Sequence, residues 1–234
     1  MRILLPVRPD NDCSEPARMI DALFGRDDVS ILRVFVYRPA ELDLYAPEML
    51  AAVPGVHRLD EHQLREVVTS TKSHCRTLLD YGFHVESAIV SGFPVDEIIH
   101  EAVSWKADLI LLHVTQEKLQ ECRIGQVVGT LIDSSPVPVL IYPKIAPTIG
   151  KHVAILDEKG RAREWASRLT SRQQGEIHRL QQDELDRALS GETCDLLIVP
   201  AHHHFAPSLL GSAERKIVRR TAVPVMLIPA AVER

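Results

Sequence analysis

The segment LLGSAERKIVRRTAVPVMLIP (209–229) has a partial copy, RIGQVVGTLIDSSPVPVLIYP (123–143), earlier in the same chain. In each segment, a glycine precedes a helix-like stretch, and a proline then introduces an apolar run. The proline follows the glycine by thirteen positions in both segments. This pattern predicts a helix followed by a buried strand, and its repetition predicts that the fold itself is duplicated.

The bulk composition indicates an ordinary globular protein. The chain has 234 residues, enough for one large domain or two small ones. Hydrophobic residues make up 45% and charged residues 25%, both usual values for globular proteins. The net charge of −5 is spread without long runs, so we expect no nucleic-acid partner and no binding to an anionic membrane surface.

The start of the chain and its cysteines predict a cellular compartment. MRILLPVRPD (1–10) passes directly from Met into an apolar strand pattern, without the features of a signal peptide. No apolar run approaches the ~18–20 residues needed to span a bilayer. The four cysteines are far apart and show no CxxC spacing. We therefore expect a cytoplasmic protein with reduced thiols and no membrane partner.

Strand and helix patterns alternate through about the first 143 residues. Apolar runs predict strands at 2–7, 29–37, 83–92, 108–114 and 137–142. Helical spacing and capping residues predict helices at 14–25, 57–81, 94–107 and about 124–135, and three prolines predict a loop at 38–55. Alternation with apolar strands predicts a three-layer α/β/α sandwich around a parallel sheet, with a ligand crevice at the carboxyl ends of the strands.

The rest of the chain repeats this order with a piece missing. KHVAILD (151–157) resembles RILLPVR (2–8) at an offset of 149, and the segment 183–199 resembles 96–112 at an offset of 87. The two segments quoted first are offset by 86. The fall in offset from 149 to 87 corresponds to a loss of about 62 residues from the middle of the second repeat.

The lost piece is expected to be peripheral. Residues 158–182 leave room for one helix, at about 160–171, and one short strand, at 176–180. An edge strand with its covering helix can be lost without disturbing the central strands, so we expect that piece to be missing. We predict a full domain at 1–144 and a shortened domain at 150–234, called below the first copy and the second copy, joined near 144–150.

Each copy carries a similar strand before its glycine. This strand is ADLILLH (107–113) in the first copy and CDLLIVP (194–200) in the second, and a glycine, a helix and a strand beginning VPV follow. In this order of elements the chain resembles the universal stress protein family, as a tandem pair. The resemblance implies stress-linked ligand binding or regulation rather than turnover. We expect no enzyme activity and no catalytic residues, since no nucleophile, base and oxyanion hole come together in the sequence.

The resemblance also implies partners. Members of the family often pair through the last strand, and VPVLIYP (137–143) and VPVMLIP (223–229) are matching apolar edges. An internal pseudo-dimer of the two copies is therefore expected. A homodimer of the whole chain and a separate protein partner are further expectations.

Nucleotide-binding members of the family have a loop of the form G-x-x-G-(nine residues)-G-[S/T] after the fourth strand and an Asp at the end of the first strand. Small residues in this loop let backbone N–H groups approach phosphate. In the second copy, Asp157, Gly211 and Ser212 match this signature, whereas Pro200 and His203 replace the leading glycines. The alternative function that the resemblance implies is therefore binding of ATP or AMP, or slow ATP hydrolysis, through the three matching residues.

The first copy keeps less of the signature. Gly125 matches the final glycine, but His113 and Gln116 stand at the two leading glycines. Gln126 stands at the Ser/Thr position and Arg8 at the strand-end Asp. Because larger side chains occupy positions where backbone must approach phosphate, we expect no tight ATP binding and no resident cofactor.

The run His202, His203 and His204 has two interpretations. Neutral imidazoles bind Zn²⁺ and Ni²⁺, so the run could form a metal or anion site beside the second crevice. Adjacent loop histidines rarely converge on one ion, and no Cys, Asp or Glu follows within several residues. We expect an exposed polar loop and no metal.

Two further candidates have structural alternatives. Arg8 could form an anion site with Arg2 and His113, or it could belong to a solvated rim. Ser212 stands at a predicted helix start without a G-x-S-x-G elbow, so we expect a helix cap rather than a nucleophile.

Overall fold

The structure is a computed structural model that describes residues 1–8, 13–39, 58–59, 65, 69, 75–114, 126–143, 149–156, 160–201 and 213–229. Its strands are β1 (Arg2–Pro6), β2 (Ser30–Pro39), β3 (Arg58–Leu59), β4 (His84–Ser91), β5 (Leu109–His113), β6 (Val139–Tyr142), β7 (His152–Ile155), β8 (Glu176–Arg179), β9 (Leu196–Ala201) and β10 (Val225–Pro229). Its helices are α1 (Ser14–Phe24), α2 (Pro94–Ser104), α3 (Gln126–Ser134), α4 (Arg161–Ser171), α5 (Leu185–Ser190), which a 3₁₀ turn (Gln182–Glu184) precedes, and α6 (Ala213–Arg220).

Residues 75–80 are also helical and lie directly before β4. No helix in the described ranges is long and apolar enough to cross a bilayer.

The strands form one sheet in the order β4-β2-β1-β5-β6-β10-β9-β7-β8. The short β3 pairs with the end of β2. Neighbours pair in parallel throughout, with one exception, the antiparallel pair of β6 and β10. The predicted α/β class with a parallel sheet in each copy is confirmed.

The two ends of the sheet differ by one strand. In the first copy the order from the outside is β4-β2-β1-β5-β6, and in the second copy it is β8-β7-β9-β10. Since β8 pairs with β7 as β2 pairs with β1, the described part of the second copy has no counterpart of β4 or of the helix before it. The missing piece is thus an edge strand with its preceding helix, as the sequence predicts.

Buried side chains alternate between the two faces of the sheet. Ile3 and Leu5 of β1 pack on one face with α1, α4 and the helical residues 75–80, whereas Leu4 packs on the other face with α2, α3, α5 and α6. Each central strand is therefore apolar on both sides, which explains the unbroken apolar runs in the sequence. The result is the predicted three-layer sandwich.

The predicted helix at 57–81 is wrong at its start. Arg58 and Leu59 form β3 and pair with Arg38 and Pro39. β2 correspondingly extends past its predicted end at residue 37. A two-residue strand has no periodicity of its own, and its formation depends on a partner that lies about twenty residues away.

The offset of 149 between the first strands of the two copies is wrong by one residue. Ile3 pairs with Leu109 and Val153 pairs with Leu196, and Leu109 and Leu196 are themselves equivalent. Ile3 therefore corresponds to Val153, at an offset of 150. A slip of one residue exchanges the two faces of a strand, so the burial pattern decides the register where the sequence similarity was ambiguous. Counted from this register, Asp157 corresponds to Val7 and not to Arg8.

The two copies join at their last strands. Leu140 of β6 pairs with Met226 of β10, which is its own equivalent at the offset of 86. On either side, Val139 pairs with Leu227 and Ile141 with Val225. The contact is therefore isologous, with the same patch contributed by each copy, as in a two-fold symmetric dimer.

Candidate functional site

The two expected crevices lie on opposite sides of the sheet along the strand direction, each at the carboxyl ends of the strands of its own copy. The first crevice is at the carboxyl ends of β1 and β5, and the second is at the carboxyl ends of β7 and β9. Because β6 and β10 are antiparallel, the strands of the two copies point in opposite directions. Any ligands of the two copies would therefore bind on opposite sides of the molecule.

The candidate residues of the nucleotide signature and of the histidine run stay predictions. These seven residues lie outside the described part of the chain: Gly125, Asp157, His202, His203, His204, Gly211 and Ser212. The strands that lead into the two crevices are described, and their residues define what each crevice can offer a ligand.

The first crevice contains a stacked pair of rings. His113 is the last residue of β5, and its imidazole stacks on the ring of Tyr142 with centroids 5.0 Å apart and planes 19° apart. The two residues are Cα partners in the β5–β6 ladder. Tyr142 is completely buried, and burial raises the pKa of its phenol well above the usual range. His113, at the position where the resemblance implies a glycine, thus carries a ring that is stacked on the neighbouring strand.

The second crevice begins at Pro200, near the end of β9. Pro200 is the Cα partner of Ile228 in β10, so its ring lies within the sheet. Proline has no backbone N–H, and the position therefore supplies no donor to a phosphate. This loss falls on the first of the two leading glycine positions.

The structure separates two members of the proposed anion site. Arg2 lies at the amino end of β1, where its guanidinium donates to the carbonyl oxygen of Trp105 at 3.0 Å and lies over the indole ring. His113 lies at the carboxyl end of β5. Since β1 and β5 are parallel, the amino end of β1 and the carboxyl end of β5 lie at opposite ends of the strands. The predicted anion site that joins Arg2 to His113 is therefore wrong.

One aspartate in each copy ties two neighbouring strands together, β1 to β5 in the first copy and β7 to β9 in the second. The buried Asp195 accepts hydrogen bonds from the backbone N–H groups of Gly150 (2.9 Å), Lys151 (3.1 Å) and His152 (3.2 Å). Burial raises the pKa of the Asp195 carboxyl above its ordinary value, although these hydrogen bonds oppose the shift.

The exposed Asp108 accepts the backbone N–H of Arg2 at 2.8 Å. The matching positions of these aspartates in ADLILLH and CDLLIVP thus have a structural reason. Each aspartate lies at the amino ends of the strands of its own copy, whereas the crevice of that copy lies at their carboxyl ends.

A cleft of about 250 Å³ lies between the copies. The second copy contributes Arg161, Glu164, Trp165 and Arg168 from α4, and the first copy contributes residues 107–108 and 136–138. Its charges are of both signs. Residues 107–108 and 136–138 come directly before β5 and β6, so the cleft lies at the amino ends of these strands and is separate from the first crevice.

A cluster that the sequence analysis missed lies at the outer edge of the second copy. His152 of β7 and Glu176 and His178 of β8 bring one potential metal-ligand atom each to within 4.8 Å of one another. More than twenty positions separate the first residue from the others, and strand pairing brings them together. The only sequence signal was the alternation of Glu and His in the short segment EIHR (176–179).

Comparison with known proteins gives a family and a fold. The model of the universal stress protein family matches residues 1–143. A universal stress protein from Archaeoglobus fulgidus DSM 4304 has 16% identity, covers 100% of this chain and 97% of its own, and superposes with a TM-score of 0.71. A functionally unknown protein from Pseudomonas aeruginosa PAO1 has 12% identity, covers 97% of this chain and 92% of its own, and gives a TM-score of 0.63.

A shorter structure, a universal stress protein from Archaeoglobus fulgidus in complex with dAMP, has 19% identity, covers 60% of this chain and 96% of its own, and gives a TM-score of 0.43. The curated proteins contain no match to this chain. The first two structures extend over both copies, and the family match covers more than half of the sequence. The chain therefore belongs to the universal stress protein family.

Proposed function

We propose that this protein is a ligand-binding or regulatory protein of the stress response that does not bind ATP tightly and is not an enzyme. Membership of the universal stress protein family supports the general role. The observation that carries the statement about ATP is the stack of His113 on Tyr142 at the first crevice. The imidazole of His113 stands where a phosphate-binding loop needs a residue without a side chain, so that backbone N–H groups can approach the phosphate.

The stack resists displacement because its inner ring is fixed. Tyr142 is completely buried and belongs to the same cluster as Leu109 and Leu111 of β5. Moving His113 away from it would forfeit an aromatic contact of about 0.5–1.5 kcal/mol. A nucleotide at the first crevice would have to offset this cost and also bind without the backbone donors that glycines expose.

The alternative is an adenine-nucleotide binder, or a slow ATPase, that uses the second copy. Gly211 and Ser212 support it through their match to the family signature, whereas the register of β7 places Asp157 one residue before the strand-end position that the sequence similarity gave it. Pro200 opposes it, because a backbone donor is absent at the first position of the loop. Weak binding of AMP or ATP is compatible with both observations.

The test is a search for nucleotide in the whole purified protein. Small molecules released by denaturation are identified by mass spectrometry, and melting is measured with Mg-ATP or AMP in large excess. A ligand present at a thousandfold excess over its Kd stabilises a protein by about 4 kcal/mol. We expect no bound nucleotide and no shift of this size.

A bound nucleotide or a large shift would overturn the proposal. Ser212→Ala and Gly211→Val would then locate the binding in the second copy, with Gly125→Val as the control for the first copy. Release of phosphate from Mg-ATP that Gly211→Val abolishes would establish the slow ATPase.

We also propose that the two copies form an internal pseudo-dimer, supported by the isologous pairing of β6 with β10. This pairing uses the apolar last strand of each copy, so a homodimer of the whole chain or a protein partner needs a different surface. Light scattering of the full chain over a range of concentrations tests for a homodimer.

The expected cytoplasmic location is supported by the free thiols of Cys13, Cys75 and Cys194.

A further inference from the structure

Three side chains with metal-binding chemistry converge at the open edge of the second copy. One ligand atom each from His152, Glu176 and His178 lies within 4.8 Å of the others. Nε2 of His178 lies 3.7 Å from Oε2 of Glu176, and the rings of His152 and His178 are stacked with centroids 6.1 Å apart. All three side chains are exposed.

The strand pairing fixes where these side chains originate. His152 and Glu176 are Cα partners in the parallel β7–β8 ladder, and His178 is the partner of Ala154. Residues two apart on a strand face the same side, so Glu176 and His178 project from the same face as His152. Hydrogen-bonded strands hold the three Cα atoms in place, which lowers the entropy lost when the side chains bind one ion.

The donor set suits a divalent transition metal. Two imidazoles and a carboxylate are a known ligand set for Zn²⁺, with the fourth position left to water. A tetrahedral zinc ion with bonds of about 2.0–2.2 Å holds its ligand atoms roughly 3.3–3.6 Å apart. The 3.7 Å between Nε2 of His178 and Oε2 of Glu176 is already close to this range, and every pair of ligand atoms lies within 4.8 Å. The exposed side chains can close the remaining difference by rotation about their χ angles.

The first copy does not have these ligands. With Arg2 equivalent to His152, the strand registers make Ser30 equivalent to Glu176 and Leu32 equivalent to His178. Leu32 is buried on the face of the sheet that α2 covers, in the same cluster as Ile98 and Ala102. The fold shared by the two copies therefore does not depend on metal-binding side chains at these three positions, yet the second copy has one at each of them.

Protection of a sheet edge is the competing explanation for polar residues on β8, since charges on an edge strand prevent aggregation. β4, the outer strand of the first copy, shows what such protection looks like. His84 and Glu86 lie two residues apart on it, with Nε2 of His84 3.9 Å from Oε1 of Glu86. No third ligand among the described residues joins this pair. The edge of the second copy differs because the adjacent strand contributes His152.

We propose that His152, Glu176 and His178 form a binding site for a divalent transition-metal ion, zinc by ligand chemistry, on the edge exposed by the missing strand. The site is distinct from the crevices and from the run at 202–204.

The test uses the full-length chain with His202, His203 and His204 replaced by Gln, so that the histidine run contributes nothing. Zn²⁺ is titrated by calorimetry into this EDTA-treated and desalted protein, and Co²⁺ replaces it for visible spectroscopy. We expect one Zn²⁺ per chain and the intense visible absorption of tetrahedral Co²⁺. His178→Ala or His152→Ala should weaken binding more than about tenfold, and Glu176→Gln should also weaken it.

His84→Ala is the matched control, since it removes a histidine from the corresponding pair on β4, and it should leave Zn²⁺ binding unchanged. All of these side chains are exposed, and melting curves in EDTA should confirm that the variants fold. Absence of Zn²⁺ binding by the background variant would overturn the proposal. Binding that survives the double change His152→Ala and His178→Ala would overturn it as well.

Discussion

Arg215 lies against Gly129, although the two residues occupy equivalent positions in the two copies. A Cβ atom on Gly129 would lie 3.1 Å from Cζ of Arg215. From this position Arg215 forms an ion pair with Asp133, so α6 is tied to α3 across the pseudo-two-fold axis. A symmetric dimer would present the same residue from both helices. Here a glycine on one helix leaves room for an arginine on the other, and the contact has become asymmetric.

We expect Arg215→Ala to lower the free energy of unfolding by about 1 kcal/mol, at the upper end of the range for exposed ion pairs. The side chains of Arg215 and Asp133 are 29% and 37% exposed, so solvent screens their attraction only in part. Urea unfolding monitored by circular dichroism measures the change.

The control is Arg220→Ala. Arg220 also pairs across elements, with Asp186 at 2.7 Å, but these side chains are 61% and 71% exposed. We expect a loss below about 0.5 kcal/mol for this variant. If both variants lowered the free energy of unfolding equally, the ion pair of Arg215 with Asp133 would stabilise the protein no more than an exposed ion pair does, and this prediction would be contradicted.

Ile31 and Ile177 are equivalent residues with different surroundings. Ile31 of β2 is completely buried, whereas Ile177 of β8 is 39% exposed because its covering helix is missing. We expect Ile31→Ala to destabilise the protein by about 2–5 kcal/mol, the usual cost of a core cavity. Ile177→Ala should cost less than about 1 kcal/mol, since a half-exposed side chain leaves no closed cavity. Thermal and urea unfolding of both variants checks the difference, and similar costs would mean that the edge at β8 is covered.

Asp195→Asn should be more destabilising than Asp108→Asn. The Asn amide offers donors where three backbone N–H groups need an acceptor, and the site around Asp195 is buried. We expect a loss of about 1–3 kcal/mol for Asp195→Asn, the cost of unsatisfied buried groups. Asp108 is exposed and accepts a single N–H from Arg2, so water can replace the lost contact. Urea unfolding at neutral pH should rank the two variants in this order.

The cysteines should react with alkylating agents in a definite order. Burial raises the pKa of Cys194 to about 11, which leaves little thiolate at neutral pH. Cys13 is also buried, whereas Cys75 is partly exposed and accepts a hydrogen bond from Arg33. In a Cys122→Ser variant, iodoacetamide at neutral pH should label Cys75 first, as peptide mass spectrometry can measure. Faster labelling of Cys194 would show that its environment opens in solution.

The sequence predicted the architecture because the strands are continuous apolar runs and the same order occurs twice. β1 and β5 lie within the predicted ranges 2–7 and 108–114, and the missing edge strand followed from the fall in offset. Features that depend on pairing between distant strands were missed. The short β3, the one-residue shift of β7 and the cluster around His152 all require the register of a partner strand.

The candidate site was less predictable than the fold. His113 could be placed at a glycine position by sequence, but its stack on Tyr142 depends on the β5–β6 register. The anion site was predicted from the chemistry of Arg2 and His113 alone, and the parallel direction of their strands separates them. Side-chain type suggests what a residue can bind, whereas strand direction determines which residues can bind together.

The pairing of Leu140 with Met226 has a consequence for how the molecule behaves on dilution. When two separate chains pair through their last strands, dilution separates them, and each subunit can exchange into a new pair. Here both strands belong to one chain, so their association is unimolecular and independent of protein concentration. The stoichiometry of full to shortened copy is also fixed at synthesis. The full copy is thus always paired with the shortened copy. Because neither copy pairs with an identical one, each can lose an outer strand or gain new side chains without the same change appearing in the other.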